Sequence, residues 1–563
     1  MLTDQIKQRI EQWSKNATED LDLLNEYNQI KNDEEKLLDA FFKELTFGTG
    51  GLRGIIGFGS NRMNIYNIRK ATQGLANYLN KNYSSLKEIK VAIGFDSRIK
   101  SDVFAKEAAK VLSLNGIKVK IFKELLPVPV LSFATRELSC QAGIMITASH
   151  NPSKYNGYKV YNSEGCQLTD FAAGQVYEEI SKLNPFDIKP ESFDYYLSNK
   201  NIEYIDDNLL TSFINRVKKE SVLGKEKVDK NVKIIYSPLH GTGLVPVTRI
   251  LKETGFSNVT VVEEQRLPDG NFTTCPFPNP EIKEAMQLGI EYAKKNNADL
   301  LIATDPDCDR VGIAVKDKDD YKLLTGNQTG ILLLNYICEL RNKNNNMPKD
   351  ATVVKTIVTS DMVDAIASHH NIKCKSLLTG FKYIGEYIRN LEKEGKESSY
   401  ILGFEESYGY LTGSYVRDKD GVNGVFMIAE MFAYYKTHGI SLIEKLNELY
   451  EQFGYYLNTL DNYAFEGASG FNKMKTIMAS FRNNIEKIGS IKVLKTNDYS
   501  KGVEDLPKSD VMKFFLEGDT TVTLRPSGTE PKLKLYCSIK GENEEKATKI
   551  YEEIRNYFTE KLK

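Results

Sequence analysis

The chain has 563 residues, 41% of them hydrophobic, and its 75 basic side chains nearly balance 76 acidic ones. The length predicts about three to five domains, and the balanced charge gives no reason to expect a nucleic acid or a membrane surface as a partner. Seven scattered cysteines without a CxxC pair, a polar N-terminus and the lack of an apolar run of about 18 residues favour a cytoplasmic protein without a targeting segment.

The first 45 or so residues are predicted to be helical, because apolar residues such as Ile6, Ile10 and Trp13 recur at helical spacing. A glycine-rich stretch, FGTGGLRG, follows at 47–54. Short apolar runs then alternate with amphipathic helices. Four of these runs are VAIGFDSR at 91, GIMITASH at 143, ADLLIATDPDCDR at 298 and YILGFEES at 400. Such alternation is typical of α/β layers.

The α/β pattern restarts near residues 205 and 320, and it gives way after about 450 to short strands, a helix near 471–482 and a charged terminal helix. We therefore expect three successive α/β domains with mixed sheets and a smaller C-terminal α+β domain. The predicted units are 1–205, which includes the helical leader, 206–320, 321–450 and 451–563. Polar clusters follow the apolar runs, at the sheet edge where ligands bind in α/β proteins.

The stretch DPDCDR places Asp305, Asp307 and Asp309 at alternate positions directly after an apolar run. Three such carboxylates repel one another unless a cation holds them, and hard oxygen ligands suit Mg²⁺. An EF-hand loop is excluded, because Arg310 stands where that loop needs glycine and Lys316 where it needs glutamate. A solvated acidic turn and an aspartyl phosphatase nucleophile are the alternatives.

The stretch TASHNP sets Ser149 beside His150, which suggests a serine hydrolase. There is no GxSxG elbow, and neighbouring side chains of an extended strand end point to opposite faces, which makes them a poor nucleophile–base pair. Helix capping by Ser149 or Asn151 is an alternative. A phosphorylated Ser149 is the third interpretation, because its nearly two negative charges need a nearby cation, which the aspartate cluster would supply.

Two further clusters have the chemistry of a sugar-phosphate site. The stretch RPSGTEPKLKLY contains an arginine fork, hydroxyl groups and a glycine that lets backbone N–H groups approach a ligand. This combination is typical of a phosphate-binding loop, and a plain turn between strands is the alternative. GFEES offers acids that accept hydrogen bonds from sugar hydroxyls, or it is a surface turn. Single cations near these clusters are Lys159 after TASHNP, Arg53 in GTGGLRG, Lys382, Arg417 and Lys419.

Together these motifs resemble the α-D-phosphohexomutase superfamily. TASHNPSKYNGYK, DPDCDR, GFEES and RPSGT occur in that order, and GTGGLRG, YSPLHGTG and LTGNQTG agree with them. The matching motifs extend from about residue 47 to 536. The N-terminal leader and GFEESYGY are similar to the bacterial phosphoglucomutase branch, which is related to animal phosphopentomutase. Mutases that also accept mannose more often show Gly-Glu-Met-Ser-Gly-His there, so this departure favours glucose.

The resemblance implies four domains around a central cleft, which carry in turn the phosphoserine, the metal, the sugar site and the phosphate site. It implies an isomerase that interconverts glucose 1-phosphate and glucose 6-phosphate through a phosphoserine enzyme, Mg²⁺ and a glucose 1,6-bisphosphate intermediate that also serves as activator. Phosphopentomutase and phosphomannomutase are alternatives, with glucose-1,6-bisphosphate synthase a weaker one. A non-enzymatic relative is the alternative from another class. No obligate protein partner is expected.

The resemblance also implies roles for single residues. The expected Mg²⁺ ligands are Ser149, Asp305, Asp307 and Asp309, and Ser149 is expected to carry the phosphoryl group. The residues expected around the transferring group are Arg53, His150, Lys159 and Arg310. The residues expected to bind the sugar or its distal phosphate are Lys382, Glu405, Ser407, Lys419, Arg525, Ser527, Gly528 and Thr529. The general base stays open between Lys159, His150 and another group.

Overall fold

The computed structural model describes residues 2–48, 50–465, 467–527 and 532–562. The predicted fold class is confirmed, because three mixed α/β sheets are followed along the chain by one antiparallel sheet. Gly528 and Thr529, two of the predicted phosphate-binding residues, lie outside the described residues. Within the described ranges, no helix is both long and apolar enough to cross a membrane.

The N-terminal leader forms three helices. They are α1 (Asp4–Asn16), α2 (Leu21–Ile30) and α3 (Glu34–Phe41). Each begins at a side chain that caps it, since the oxygens of Thr3, Asp20 and Asp33 accept hydrogen bonds from the first free backbone N–H groups. The leader packs on the first unit, against α4 (Ile65–Asn82) and nearby loops, through an aromatic cluster centred on Trp13, the single tryptophan.

The first sheet has six strands in the order β1-β5-β4-β2-β3-β6. They are β1 (Gly51–Ile55), β2 (Lys90–Phe95), β3 (Lys118–Ile121), β4 (Ala142–Ile146), β5 (Tyr155–Asn162) and β6 (Ile202–Tyr204). β5 is antiparallel to both of its neighbours, and the other pairs are parallel. The covering helices are α4 (Ile65–Asn82), α5 (Ser101–Leu114), α6 (Val128–Glu137), α7 (Asp170–Ile180) and α8 (Phe193–Ser198).

The second sheet has the order β11-β10-β9-β7-β8. Its strands are β7 (Ile234–Ser237), β8 (Val259–Val261), β9 (Leu300–Thr304), β10 (Val311–Asp317) and β11 (Asp320–Leu324). Its helices are α9 (Asn208–Lys218), α10 (Leu244–Glu253), α11 (Glu263–Arg266) and α12 (Lys283–Asn296). β11 pairs with β10 in this sheet, so the predicted division after residue 320 falls inside a strand. The domain limits stay predictions.

The third sheet has the order β13-β12-β14-β15, with β15 antiparallel to β14. Its strands are β12 (Thr352–Thr356), β13 (Lys373–Leu377), β14 (Tyr400–Glu405) and β15 (Gly409–Leu411). Its helices are α13 (Gly326–Lys343), α14 (Met362–His369), α15 (Phe381–Lys393), α16 (Gly421–Thr437) and α17 (Leu442–Phe453). One continuous apolar core joins this unit to the second and to part of the first.

The fourth sheet is antiparallel throughout, in the order β16-β21-β20-β19-β18-β17. Its strands are β16 (Tyr455–Ala464), β17 (Lys487–Ile488), β18 (Ile491–Asp498), β19 (Met512–Leu516), β20 (Thr520–Pro526) and β21 (Lys532–Gly541). Its helices are α18 (Gly467–Phe481) and α19 (Glu544–Leu562). This unit has its own core, and it meets the third through a smaller apolar cluster and polar contacts such as that between Thr521 and Asp361.

Candidate active site

The predicted serine and aspartate clusters meet at the C-terminal edges of the first and second sheets. Ser149 follows β4, and the aspartates lie in the turn between β9 and β10. The Ser149 hydroxyl donates a hydrogen bond to Asp305 Oδ2 over 2.9 Å. Ser149 is 4% exposed and Asp305 is fully buried. The strand-end rule for α/β sheets therefore brought together two motifs that are far apart in sequence.

The backbone at Ser149 turns sharply, with φ at +52°. The Thr147 hydroxyl oxygen accepts the Ser149 N–H over 2.9 Å, and the same hydroxyl donates to Asp307 over 3.1 Å. The expectation that the Ser149 and His150 side chains point to opposite faces is wrong. Their Oγ and Nδ1 atoms lie 3.3 Å apart, because β4 ends at Ile146 and the following residues are not extended.

His150 occupies an electropositive, enclosed position. Burial lowers the pKa of its imidazole well below the usual value, and the nearby Arg310 and Arg53 guanidinium groups lower it further. A neutral ring therefore faces the Ser149 hydroxyl. In this position the neutral ring can accept a hydrogen bond from the Ser149 hydroxyl, but it does not attract a phosphate by charge.

The three aspartates form one buried acidic cluster, whose ligand oxygens lie within 4.8 Å of one another. Burial raises the pKa of Asp305 well above its usual value, and the charges of Asp307 and Asp309 raise it further. Burial also opposes the ionisation of Asp307, but Lys159 outweighs it and lowers the Asp307 pKa. A fully ionised cluster is therefore unfavourable without an added cation.

The acidic cluster has free ligand atoms for a metal. Within the described part of the chain, the Oδ1 atoms of Asp307 and Asp309 are buried and have no hydrogen-bond partner. Unsatisfied buried carboxylate oxygens are costly, and a hard divalent cation is the partner that such oxygens prefer. The residues present thus fit a divalent metal site.

Two lysines lie against the acidic cluster. Lys159 Nζ lies 2.9 Å from Asp307 Oδ2, and Lys419 Nζ lies 3.1 Å from Asp309 Oδ2. In this arrangement Lys159 keeps its proton, which argues against it as the general base. Burial does favour the neutral amine, but Asp307 and Asp309 outweigh it and raise the Lys159 pKa. Lys419 contacts Asp309 of the acidic cluster and the neighbouring Asp418.

Arg53 and Lys159 share one face of the first sheet. β1 and β5 pair so that Gly51 lies opposite Lys159 and Arg53 lies opposite Gly157. Directly opposite residues point to the same face, so both cations face the cleft. Gly157 is needed here, because a Cβ atom would lie 2.4 Å from the Thr147 carbonyl oxygen. Arg53 also donates to Asn151 Oδ1 over 3.2 Å, which ties it to the Ser149 turn.

Arg310 is held over the acidic cluster by a residue that the sequence analysis missed. Its Nη1 forms an ion pair with Glu281, and its Nε lies 3.9 Å from Asp305 Oδ2 and 3.8 Å from Asp309 Oδ1. Glu281 lies in the loop before α12, and no apolar run leads into it, so the strand-end pattern gave no signal.

Three of the residues predicted to bind the substrate, Lys382, Arg525 and Ser527, line a cleft of about 590 Å³. Residues from the first, third and fourth units line it, including Arg53, Lys159, Gln167, Asp170, Thr379, Lys382, Arg525, Ser527 and Lys534. Glu405 ends β14 and accepts the Gly380 N–H over 2.9 Å. Ser407 follows it in the turn before β15. Lys382 is paired across the cleft with Asp170, 2.8 Å away.

Other residues that the sequence analysis missed contact the predicted residues or the turn that carries Ser149. The Tyr161 hydroxyl donates to Asp418 over 2.7 Å, and Asp418 lies 3.2 Å from Lys419 Nζ. Arg98 contacts the turn that carries Ser149. Arg98 closely follows β2, so the strand-end rule could have singled it out.

Three family models match successive parts of the chain. They describe the alpha/beta/alpha domains I, II and III of phosphoglucomutase/phosphomannomutase, and they match residues 44–185, 211–318 and 325–453. A phosphoglucomutase from Staphylococcus saprophyticus is 38% identical over 558 residues, which covers 96% of this chain and 98% of the relative. A phosphoglucomutase from Staphylococcus aureus strain MRSA252 is 36% identical over 546 residues, covering 94% of this chain and 95% of the relative.

Two solved structures share the fold. A putative phosphomannomutase from Thermus thermophilus superposes with a TM-score of 0.68 at 19% identity, covering 92% of this chain and 99% of that one. The open form of the Paramecium phosphoglucomutase pp63/parafusin superposes with a TM-score of 0.70 at 19% identity, covering 92% and 95%. From its motifs, its sheets and the likeness of nearly its whole length to these relatives, the chain belongs to the phosphoglucomutase/phosphomannomutase family.

Proposed function

We propose that this chain is a phosphoglucomutase, an isomerase that interconverts glucose 1-phosphate and glucose 6-phosphate with Ser149 as its phosphoryl carrier. The observation that carries the proposal is the 2.9 Å contact between the Ser149 hydroxyl and the buried acidic cluster at Asp305. The identity of 36–38% to relatives named phosphoglucomutase supports the choice of sugar.

The reaction needs two transfers in opposite directions. A free hydroxyl oxygen of the sugar phosphate forms a bond to the phosphorus of phospho-Ser149 while the bond from phosphorus to Ser149 Oγ breaks. The hydroxyl proton passes to a base, and the product is glucose 1,6-bisphosphate. The bisphosphate then returns its other phosphoryl group to Ser149 Oγ, and the proton returns to the sugar oxygen. Added glucose 1,6-bisphosphate would activate unphosphorylated enzyme by the second of these steps.

The residues around Ser149 suit a transfer that depends on placement and charge. Lys159 and Lys419 are held as cations by the acidic cluster, and Arg53 and Arg310 lie close by. These four groups stabilise negative charge on the transferring phosphoryl oxygens. Because Lys159 and Lys419 are held as cations, the acceptor of the hydroxyl proton stays open between the neutral His150 ring and another group.

The acidic cluster is the proposed Mg²⁺ site. Asp305, Asp307, Asp309 and an oxygen of phospho-Ser149 would hold the ion, which when bound neutralises charge on the phosphoryl oxygens. The burial and the free Oδ1 atoms of the cluster support this assignment.

The third and fourth units would bind the parts of the substrate that do not react. Glu405 and Ser407 would bind sugar hydroxyls, and Lys382, Arg525 and Ser527 would bind the distal phosphate together with Gly528 and Thr529. Because the bisphosphate must turn over between the two transfers, a phosphate site on the fourth unit, which has a core of its own, suits the reaction.

The proposal places the enzyme in the cytoplasm, with a small sugar phosphate as its partner. All seven cysteines are free, which suits a reducing compartment.

The test compares kcat/KM for glucose 1-phosphate, mannose 1-phosphate and ribose 1-phosphate, with Mg²⁺ and a trace of glucose 1,6-bisphosphate present. We expect the highest value for glucose 1-phosphate. A higher value for mannose or ribose 1-phosphate would instead indicate a phosphomannomutase or a phosphopentomutase. Accumulation of the bisphosphate as the end product would indicate a bisphosphate synthase.

A further inference from the structure

Arg98 contacts no predicted substrate site, yet it holds the turn that carries the proposed phosphoryl carrier. Building on the proposed function, we propose that Arg98 is a positioning residue, which fixes the Ser149 turn, residues 147–155, in the shape needed for phosphoryl transfer. The side chain of Arg98 is fully enclosed, with 0% of it exposed. It therefore acts only through the groups that surround it.

Four backbone carbonyl oxygens of the Ser149 turn converge on this one guanidinium group. Nη2 donates to the carbonyls of Ser149 and Asn151, and Nη1 donates to those of Pro152 and Tyr155 over 3.0 and 3.1 Å. A planar guanidinium with five N–H donors in a fixed fork is the one side chain that can span these positions.

The guanidinium group is itself fixed by a carboxylate of its own loop and by a ring of the second unit. Asp96 Oδ2 lies 3.3 Å from Nε, and the other oxygen of Asp96 accepts the Ser101 hydroxyl over 2.7 Å. The Phe272 ring of the second unit packs against the guanidinium group, with the ring centroid 4.9 Å from the guanidinium carbon. Phe272 is fully buried. The support for the Ser149 turn thus extends into the unit that carries the acidic cluster.

The conformation of Ser149 explains why such a support is needed. Its φ of +52° lies in the left-handed region, which is unfavourable for a residue other than glycine. The Thr147 hydroxyl holds the Ser149 N–H, and Arg98 holds the Ser149 carbonyl. With both backbone groups held, Oγ is directed at Asp305. Losing one of the two restraints lets the turn relax and moves Oγ away from the site of transfer.

The experiment measures kcat, KM and the urea midpoint for Arg98→Lys beside the wild-type chain. Lysine keeps the charge, but it has one nitrogen with three donors and cannot span four carbonyls. We expect kcat to fall about 10- to 100-fold, as for a reacting group that is displaced slightly, while KM for glucose 1-phosphate changes less than about twofold. The rate at which glucose 1,6-bisphosphate phosphorylates Ser149 should fall with kcat.

Arg62→Lys is the matched control. Arg62 is also a buried arginine of the first unit, paired with Asp39 and donating to backbone carbonyls, but it contacts the leader instead of the Ser149 turn. A loss of kcat no larger than that of Arg62→Lys, or a rise in KM that accounts for the loss, overturns the proposal. A wild-type chain without mutase turnover overturns the proposed function instead.

Phe272→Leu decides the question if Arg98→Lys does not fold. It leaves every hydrogen bond of Arg98 in place and removes only the ring against the guanidinium. We expect kcat to fall about two- to fivefold with KM unchanged, since the guanidinium keeps its hydrogen bonds and loses only the cation–π contact with the ring. Phe256→Leu, a buried phenylalanine elsewhere in the second unit, should keep full kcat. Equal kcat in the two variants contradicts the proposal.

Discussion

The Ser149 hydroxyl and the Asp305 carboxylate are 156 residues apart in sequence and 2.9 Å apart in space. Around them, buried acids and buried cations lie side by side, so that each stabilises the charged form of the other. Asp307 keeps a low pKa because Lys159 lies beside it, and Lys159 keeps a high pKa because Asp307 and Asp309 lie beside it. Substituting one member should therefore disturb the whole cluster, because it leaves a buried charge unpaired.

Asp307→Asn tests this arrangement at the level of one residue. The amide removes a metal ligand and the partner of Lys159, so we expect Mg²⁺ affinity and kcat both to fall by at least about 100-fold. Calorimetric titration of the folded variant with Mg²⁺ measures the first effect without relying on turnover. Asp320→Asn, at an exposed ion pair with Lys294 in the same sheet, should leave both quantities unchanged. Unaltered Mg²⁺ binding by Asp307→Asn would contradict the metal assignment.

At the level of elements, the helical leader is an integral part of the first unit. Phe41 is fully buried at the end of α3, and its ring meets the rings of Trp13 and Phe58 at centroid distances of 6.0 and 5.6 Å. Phe42, the next residue, is 49% exposed. Two adjacent phenylalanines thus have opposite environments.

Phe41→Ala should lower the free energy of unfolding by about 3–5 kcal/mol, because it removes a buried ring and leaves a cavity. Trp13 fluorescence during urea unfolding reports the effect, since the ring lies against the single tryptophan. Phe42→Ala should shift the unfolding midpoint little. Similar midpoints for the two variants would show that the leader does not stabilise the first unit.

The half-buried carboxyl of Glu220, just after α9, allows a second prediction at this level. Burial raises the pKa of Glu220 to about 7, although Arg216 and Arg341 partly counter it. A pKa raised on folding stabilises the fold below the unfolded value, near 4.5, and this contribution is lost as pH rises through about 7. Stability from this group therefore falls between about pH 4.5 and pH 7.

Glu220→Gln should remove this pH dependence. The variant should have a higher urea midpoint than the wild type at pH 8, and the difference should shrink towards pH 5. Glu545→Gln, at an exposed ion pair of α19, provides the control. A constant difference between Glu220→Gln and the wild type at the two pH values would contradict the raised pKa.

At the level of the whole molecule, the cleft is crossed by an ion pair between Asp170 of the first unit and Lys382 of the third. Asp170 is largely exposed, so the pair is worth no more than about 1 kcal/mol. A substrate phosphate that takes Lys382 must first displace Asp170, and the weakness of the pair makes this exchange easy.

Asp170→Asn should lower KM for glucose 1-phosphate by up to about fivefold, because the competing carboxylate is gone. Steady-state kinetics measure it, and kcat should change little. Glu179→Gln breaks a solvent-facing pair with Lys182 at the other end of α7 and should leave KM unchanged. A raised KM in Asp170→Asn would mean that Asp170 supports binding instead of competing with it.

The sequence predicts which residues lie at strand ends, but it does not predict which side chains those residues contact. The strand-end rule located Ser149, Asp305 and Glu405, since topology alone brings such positions to one edge. It could not predict the 3.3 Å approach of His150, which depends on one positive φ, or the contact of Lys419 with Asp309. Those features arise from turn geometry and from contacts between units, which residue types and spacing do not encode.

The central claim is that Ser149 carries the phosphoryl group, and mass spectrometry of the purified chain tests it most directly. After incubation with Mg²⁺ and glucose 1,6-bisphosphate, we expect one phosphate on the peptide that contains Ser149. Glucose 6-phosphate added afterwards should remove it. Ser149→Ala should acquire no phosphate and should lose mutase turnover. Phosphate on another residue, or full turnover by Ser149→Ala, would contradict the account.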